Sequence, residues 1–149
     1  MRKSIVSSSP VQTKNIAQAL AETLLETQPA KGARVIAMTG ELGSGKTTFV
    51  QGFAKGLLVK ERILSPTFIL LREFRVRHPF FHALYHIDCY RLDNPVPELL
   101  HLGFKNILAD PRAIVLIEWA DRIKSIIPRD ALWVRFGHSD KNKRSITIQ

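Results

Sequence analysis

The stretch TGELGSGKTTFVQGF, Thr39 to Phe53, places three glycines (Gly40, Gly43, Gly45) and a lysine where an apolar run gives way to a helical pattern. Gly40-Glu41-Leu42-Gly43-Ser44-Gly45-Lys46-Thr47 fits G-x-x-x-x-G-K-[ST] at every fixed position. Glycines take backbone angles closed to other residues and so turn successive N–H groups inward onto an anion. A helix that starts there aims its positive end at the same point. Lys46 can reach phosphate oxygens, and the Thr47 hydroxyl can bind a magnesium ion. The expected nucleotide-binding residues are therefore Gly40, Glu41, Leu42, Gly43, Ser44, Gly45, Lys46, Thr47 and Thr48. A flexible turn with an incidental lysine would not need a strand before it and an amphipathic helix after it.

Both flanks are present. RVIAMT (Arg34–Thr39) is a compact apolar run of the kind that forms a buried parallel strand. Thr47 to Leu58 reads as a helix, with Phe49, Phe53 and Leu57 four residues apart. Outward from there, KSIVS reads as a strand and Thr13 to about Thr27 as a helix, from Ile16, Leu20 and Leu24 with alanines between. TFILLREF (Thr67–Phe74), ALYHID (Ala83–Asp88) and AIVLIE (Ala113–Glu118) read as strands. VPELLHLG offers a short helix with Pro97 near its start and Gly103 just past its end. A helical stretch to Ile127 and the strands ALWVRFG and RSITIQ complete the chain. Alternating strands and helices predict an α/β fold of one P-loop NTPase domain over residues 1–149, with a largely parallel central sheet flanked by helices.

Composition bounds the possibilities. A chain of 149 residues suffices for one domain with a substantial core. No apolar run reaches the roughly 18 residues that a membrane-spanning helix needs. The start, MRKSIVSSSPVQ, has basic residues but no apolar core behind them, so no secretory signal is expected. One cysteine, Cys89, cannot form an internal disulfide, which suits a reducing, cytoplasmic setting. The formal charge of +9 favours a polyanionic or acidic partner, but no nucleic-acid recognition motif accompanies it.

Magnesium on a triphosphate needs a carboxylate at the end of a neighbouring apolar strand. Two are available: Asp88 ends ALYHID and Glu118 ends AIVLIE. Either can hold the ion, directly or through water, and either can orient an attacking water. Guanine-selective domains carry an Asn-Lys-x-Asp loop; DKNK (Asp140–Lys143) has those letters in the wrong order, which favours ATP.

Three further signals, SPTF (Ser65–Phe68), HIDCYR (His86–Arg91) and IEW (Ile117–Trp119), follow the glycine loop in an order and spacing that resemble the TsaE family. The resemblance runs from the N-terminal strand to Trp119 and weakens in the last thirty residues or so. It implies a small ATPase serving the synthesis of threonylcarbamoyladenosine in tRNA, with TsaB-like and TsaD-like proteins as partners and tRNA contact only indirect. It implies that Lys46 binds phosphate, that Thr47 and Glu118 hold Mg²⁺, and that Asp88 is the acid needed for hydrolysis, as water-orienting base or as a further metal ligand. Thr67 would sit in a loop whose position follows the γ-phosphate. Pro66 restricts Ser65 and stiffens that loop, and a threonine hydroxyl there can bond phosphate or a metal-bound water. The adenine pocket of the family would fall near Pro10–Thr13 and Asn142–Arg144. Many members read Ile-Glu-Trp-Pro-Glu where this chain has Ala120 and Asp121, so the turn after Trp119 is expected to differ.

Around Asp88 the residues leave several roles open. His86 and Tyr90 alternate with it and would share its side if the strand stayed extended, and Arg91 can pair with Asp88 or with phosphate. Trp119 can pack beside the nucleotide, anchor a partner or fill the core. Two rival functions share the cradle: a small-molecule kinase, for which only RVRH (Arg75–His78) resembles a lid, and a nucleotide-gated module that binds RNA or protein and hydrolyses almost nothing.

Overall fold

A computed structural model of the chain describes residues 2–64 and 70–149. The SPTF loop with Thr67, and the first part of the strand expected from Thr67, lie outside the described residues. The elements in chain order are β1 (Lys3–Ser7), α1 (Pro10–Leu25), β2 (Arg34–Thr39), α2 (Lys46–Gly56), β3 (Leu71–Arg75), β4 (Ala83–Asp88), α3 (Pro95–His101), α4 (Phe104–Ala109), β5 (Ala113–Glu118), a 3₁₀ helix (Ala120–Ile126), β6 (Leu132–Asp140) and β7 (Lys143–Ile148).

The strands form one sheet in the order β1-β7-β6-β2-β5-β4-β3. Its centre, β6-β2-β5-β4, is parallel. The flanks are antiparallel, β3 on β4 at one side and β7 and β1 beyond β6 at the other. The expected parallel sheet is thus the heart of a mixed one. The reason is local: short connections after β3 and β6 allow only a reversal, whereas parallel neighbours need a crossover long enough for a helix.

Side chains alternate between two cores, as residues on a strand covered on both faces must. Ile36 and Met38 of β2, Leu116 of β5 and Leu84 of β4 pack with Ala17 and Ala21 of α1 and Phe49 and Phe53 of α2. Val35, Ala37, Val115 and Ile117 face the other way, towards Leu99 of α3, Phe104 of α4 and Ile123 of the 3₁₀ helix. No helix among the described residues is long and apolar enough to cross a membrane.

Helix α1 begins at Pro10, three residues before the start expected at Thr13. The Ser9 hydroxyl accepts from the Gln12 N–H at 3.1 Å, and the Gln12 side chain accepts from the Ser8 N–H at 2.7 Å. This is close to a capping box with proline in the first helical turn. Gly103 does not simply end a helix. With φ of +88° it turns the chain between α3 and a second short helix, α4, which the periodicity did not announce.

Helices α1 and α2 cross closely because Gly52 has no side chain. A Cβ there would lie 2.5 Å from the Lys14 Cα. Backbone cannot yield as a flexible side-chain tip can, so Gly52→Ala is expected to cost about 1–3 kcal/mol through overpacking. Urea unfolding of the two proteins checks this; equal midpoints would show that the crossing relaxes freely.

Candidate nucleotide and metal site

The site lies at the carboxyl end of the parallel strands. The register puts Met38, Glu118 and Asp88 in one row across β2, β5 and β4. The phosphate-loop motif starts at Gly40, just after β2 ends, so it emerges beside both acids. Leu84 and Leu116 lie on the α2 side of the sheet; continuing the same alternation, His86, Asp88 and Glu118 carry that face from apolar core into polar site.

Gly40 to Gly45 form a loop that ends on the first residue of α2. Gly45 precedes the helix with φ of +104°, a left-handed conformation that glycine adopts without strain. At Gly40 a Cβ would lie 2.8 Å from both the Phe136 carbonyl oxygen and the Ser44 hydroxyl. The Lys46 ammonium is buried within the loop and donates to the Gly40 carbonyl at 2.5 Å, the Glu41 carbonyl at 2.8 Å and the Ser44 hydroxyl at 3.3 Å. Burial pulls its pKa below the ordinary lysine value, against the opposing pull of the nearby Glu118, Asp88 and Asp121 carboxylates. The ammonium also lies 4.3 Å from the centre of the Trp119 ring, within cation–π range.

On the first turn of α2, the Thr47 hydroxyl donates to Glu118 Oε1 at 2.9 Å. Glu118 Oε2 is 2.7 Å from His86 Nε2. Asp88 is half-buried, and its Oδ1 accepts from the Tyr90 N–H at 2.9 Å. Burial raises the Asp88 pKa above its ordinary value; the Tyr90 N–H lowers it, the neighbouring Glu118 charge raises it, and His86 and Lys46 lower it.

Strand β4 stops at Asp88, so His86, Asp88 and Tyr90 do not share one side. His86 bonds Glu118, whereas Tyr90 turns away and lies against Trp119 with ring centres 4.8 Å apart. Trp119 has φ of +57°, and this left-handed residue places its ring next to the lysine. It is partly buried and packs beside the phosphate loop. Sequence reasoning missed Arg122, whose Nη1 donates to the Cys89 carbonyl at 2.6 Å and the Tyr90 carbonyl at 3.0 Å. It fastens the exit of β4 to the 3₁₀ helix after β5, and nothing in its neighbours in sequence signals that. The Cys89 thiol beneath is buried, with its pKa pushed up to about 12, which removes it from ordinary thiol chemistry.

A cavity of about 340 Å³ adjoins the loop, lined in part by Ser9, Thr13, Gly43, Thr48, Asn142 and Arg144. Both segments expected to frame a base therefore meet at the phosphate loop, although they lie at opposite ends of the chain. Thr13 is held there by a 2.7 Å hydrogen bond between its hydroxyl and that of Ser7.

These residues fit a magnesium nucleotide. The cradle offers a buried cation at the start of a helix, and the adjoining cavity has room for a base. No cluster of three or more His, Cys, Asp or Glu side chains suited to a metal occurs among the described residues. The hydroxyl and carboxylate of Thr47 and Glu118 are a hard-oxygen pair of the kind that holds Mg²⁺ together with phosphate oxygens and waters.

Comparison with known proteins decides the family. Residues 7–146 match the family model described as "Threonylcarbamoyl adenosine biosynthesis protein TsaE". The chain belongs to the TsaE family. The match continues through β6 and into β7, so the likeness to the family does not end at Trp119. The chain is 43% identical over 139 residues to the tRNA threonylcarbamoyladenosine biosynthesis protein TsaE of a Nostoc species, covering 91% of this chain and 78% of the relative. It is 33% identical over 140 residues to the Bacillus subtilis protein of that name, covering 94% and 80%. The Rickettsia bellii protein is 35% identical over 141 residues, covering 94% and 90%. The crystal structure of Bacillus subtilis YdiB superposes with a TM-score of 0.77 at 29% identity, over 99% of this chain and 84% of that one. A TsaE protein belongs to tRNA threonylcarbamoyladenosine biosynthesis.

Proposed function

We propose that the chain is a magnesium-dependent ATPase, weakly active alone, that supports threonylcarbamoyladenosine formation by acting on an assembly of TsaB-like and TsaD-like proteins. The observation that carries this reading is the hydrogen bond from Thr47 to Glu118 at the mouth of a loop that holds the buried Lys46 ammonium. A binding module that never hydrolyses has no need of a second, half-buried acid beside that pair, yet Asp88 is there.

Phosphoryl transfer to water depends mainly on positioning and on neutralising charge. Lys46 and the backbone N–H groups of Gly43 to Thr47 would grip the β- and γ-phosphate oxygens. Thr47 and Glu118 would hold Mg²⁺, which would supply positive charge to offset the charge of the phosphates. Asp88, with its raised pKa, is suited to orient a water and receive its proton. Thr67 would report the γ-phosphate to the rest of the loop that carries it. The base would lie in the cavity between Thr13 and Arg144. ATP binding and hydrolysis would then reset the partner assembly between turnovers, with tRNA held by the partners. The setting would be cytoplasmic.

Lys46→Ala should abolish ATP hydrolysis and multiple-turnover tRNA modification in the presence of the partner proteins; normal turnover by that variant would remove the cradle from the mechanism. Asp88→Asn should keep ATP affinity within a few-fold while hydrolysis falls by about 100-fold or more. Unchanged hydrolysis would free Asp88 from any chemical role. Glu118→Ala should weaken nucleotide binding with magnesium on the order of tenfold more than binding in EDTA, read by calorimetry. Equal losses in the two buffers would take Glu118 out of the metal shell. Screening acceptors for phosphorylated product distinguishes a kinase, and turnover with and without partners distinguishes a module that only binds.

A further inference from the structure

His86 is the one fully buried imidazole beside the acids, with a relative exposure of 0%. Its neighbour two residues back on the same face of β4, Leu84, packs into the apolar core. An apolar residue at 86 would extend that core, whereas an imidazole taken out of water costs free energy that only hydrogen bonds offset. His86 makes one such bond, from Nε2 to Glu118 Oε2 at 2.7 Å. Its Nδ1 is buried and has no partner among the described residues. The interaction with Glu118 is therefore what this side chain offers in return for its burial.

The geometry also selects the form of the ring. A carboxylate is an acceptor only, so Nε2 must carry the hydrogen. A ring protonated at Nδ1 alone would press a lone pair against the carboxylate oxygen. Hydrogen on Nε2 avoids that clash. It leaves Glu118 held at both oxygens, Oε1 by the Thr47 hydroxyl at 2.9 Å and Oε2 by the imidazole. Two donors on opposite oxygens fix the plane of the carboxylate and remove the torsional freedom that a glutamate otherwise has.

We propose that His86 is the positioning residue of the magnesium site: its Nε2–H fixes the Glu118 carboxylate so that Oε1 stays paired with Thr47 where the ion is to be held. Asp88, which has no bond to His86, is left outside this clamp. The division assigns Glu118 to the ion and leaves Asp88 available for water. The inference rests on the magnesium reading above, and its test separates the two.

Calorimetry of ATP binding, with magnesium and with EDTA, is to be run on the wild-type chain, His86→Phe and His86→Gln, with melting curves for each. In His86→Phe, metal-free affinity should stay within about twofold while the gain conferred by magnesium falls tenfold or more, as loss of a bond to a metal ligand typically brings. In His86→Gln, whose amide can still donate, much of that gain should return. The proposal is overturned if His86→Phe keeps the whole gain, if Phe and Gln lose it equally, or if metal-free binding falls as far as metal-dependent binding. A wild-type chain that gains nothing from magnesium removes the metal reading itself. Should the Phe variant fail to fold, long-range ¹H–¹⁵N spectra of the wild-type histidines decide: hydrogen on Nε2 of His86 supports the assignment, and hydrogen on Nδ1 alone overturns it.

Discussion

The arrangement turns on one buried charge. The Lys46 ammonium sits at the top of the sheet with carbonyl oxygens around it and an indole face 4.3 Å away. Desolvation works against that charge, and the nearby carboxylates of Glu118 and Asp88 work for it. A loop of carbonyls at the end of β2 would be a poor place for a cation without acids on the adjacent strands. The register of β2, β5 and β4 supplies them in one row. The position of the buried lysine and the order of the strands that bring the two acids beside it thus answer one electrostatic requirement.

Much of this could be read from the chain because short, bounded, apolar runs have few ways to be buried. β1, β2, β4 and β5 begin and end where the alternation of apolar and turn residues places them. The P-loop motif fixes the junction of β2 with α2 for the same reason, since only a strand, a glycine turn and a helix start can satisfy it. The start of α1 was less legible: apolar periodicity begins after the cap, and the hydrogen bonds of Ser8, Ser9 and Gln12 lie before it. α4 went unseen because Gly103 marks the end of one helix and the beginning of the next with a single conformation. Which strands run antiparallel depends on connection length and pairing partners, which hydrophobic pattern does not encode.

In the site, residue types were legible and their pairings were not. Lys46, Thr47, Asp88 and Glu118 announce themselves by motif and by position at strand ends. For His86 the sequence left open whether it orients Asp88, its neighbour by strand alternation, or only packs. It reaches across to Glu118 on β5, because parallel strands bring the residue diagonally opposite within hydrogen-bond range. Arg122 acts on carbonyls more than thirty positions earlier in the chain, and carbonyls have no sequence signature. Such contacts are properties of the sheet order rather than of any local stretch.

The wall of the cavity beside the glycine loop joins Ser9 and Thr13 to Asn142 and Arg144, and β1 is held in place by β7. On the ribosome the phosphate loop and its two acids emerge well before that wall can close. A nascent chain can complete the Gly40–Gly45 loop while the cavity beside it still lacks Asn142 and Arg144. Closure of that cavity therefore depends on a pairing between distant parts of the chain, made after the loop it adjoins has already been synthesised.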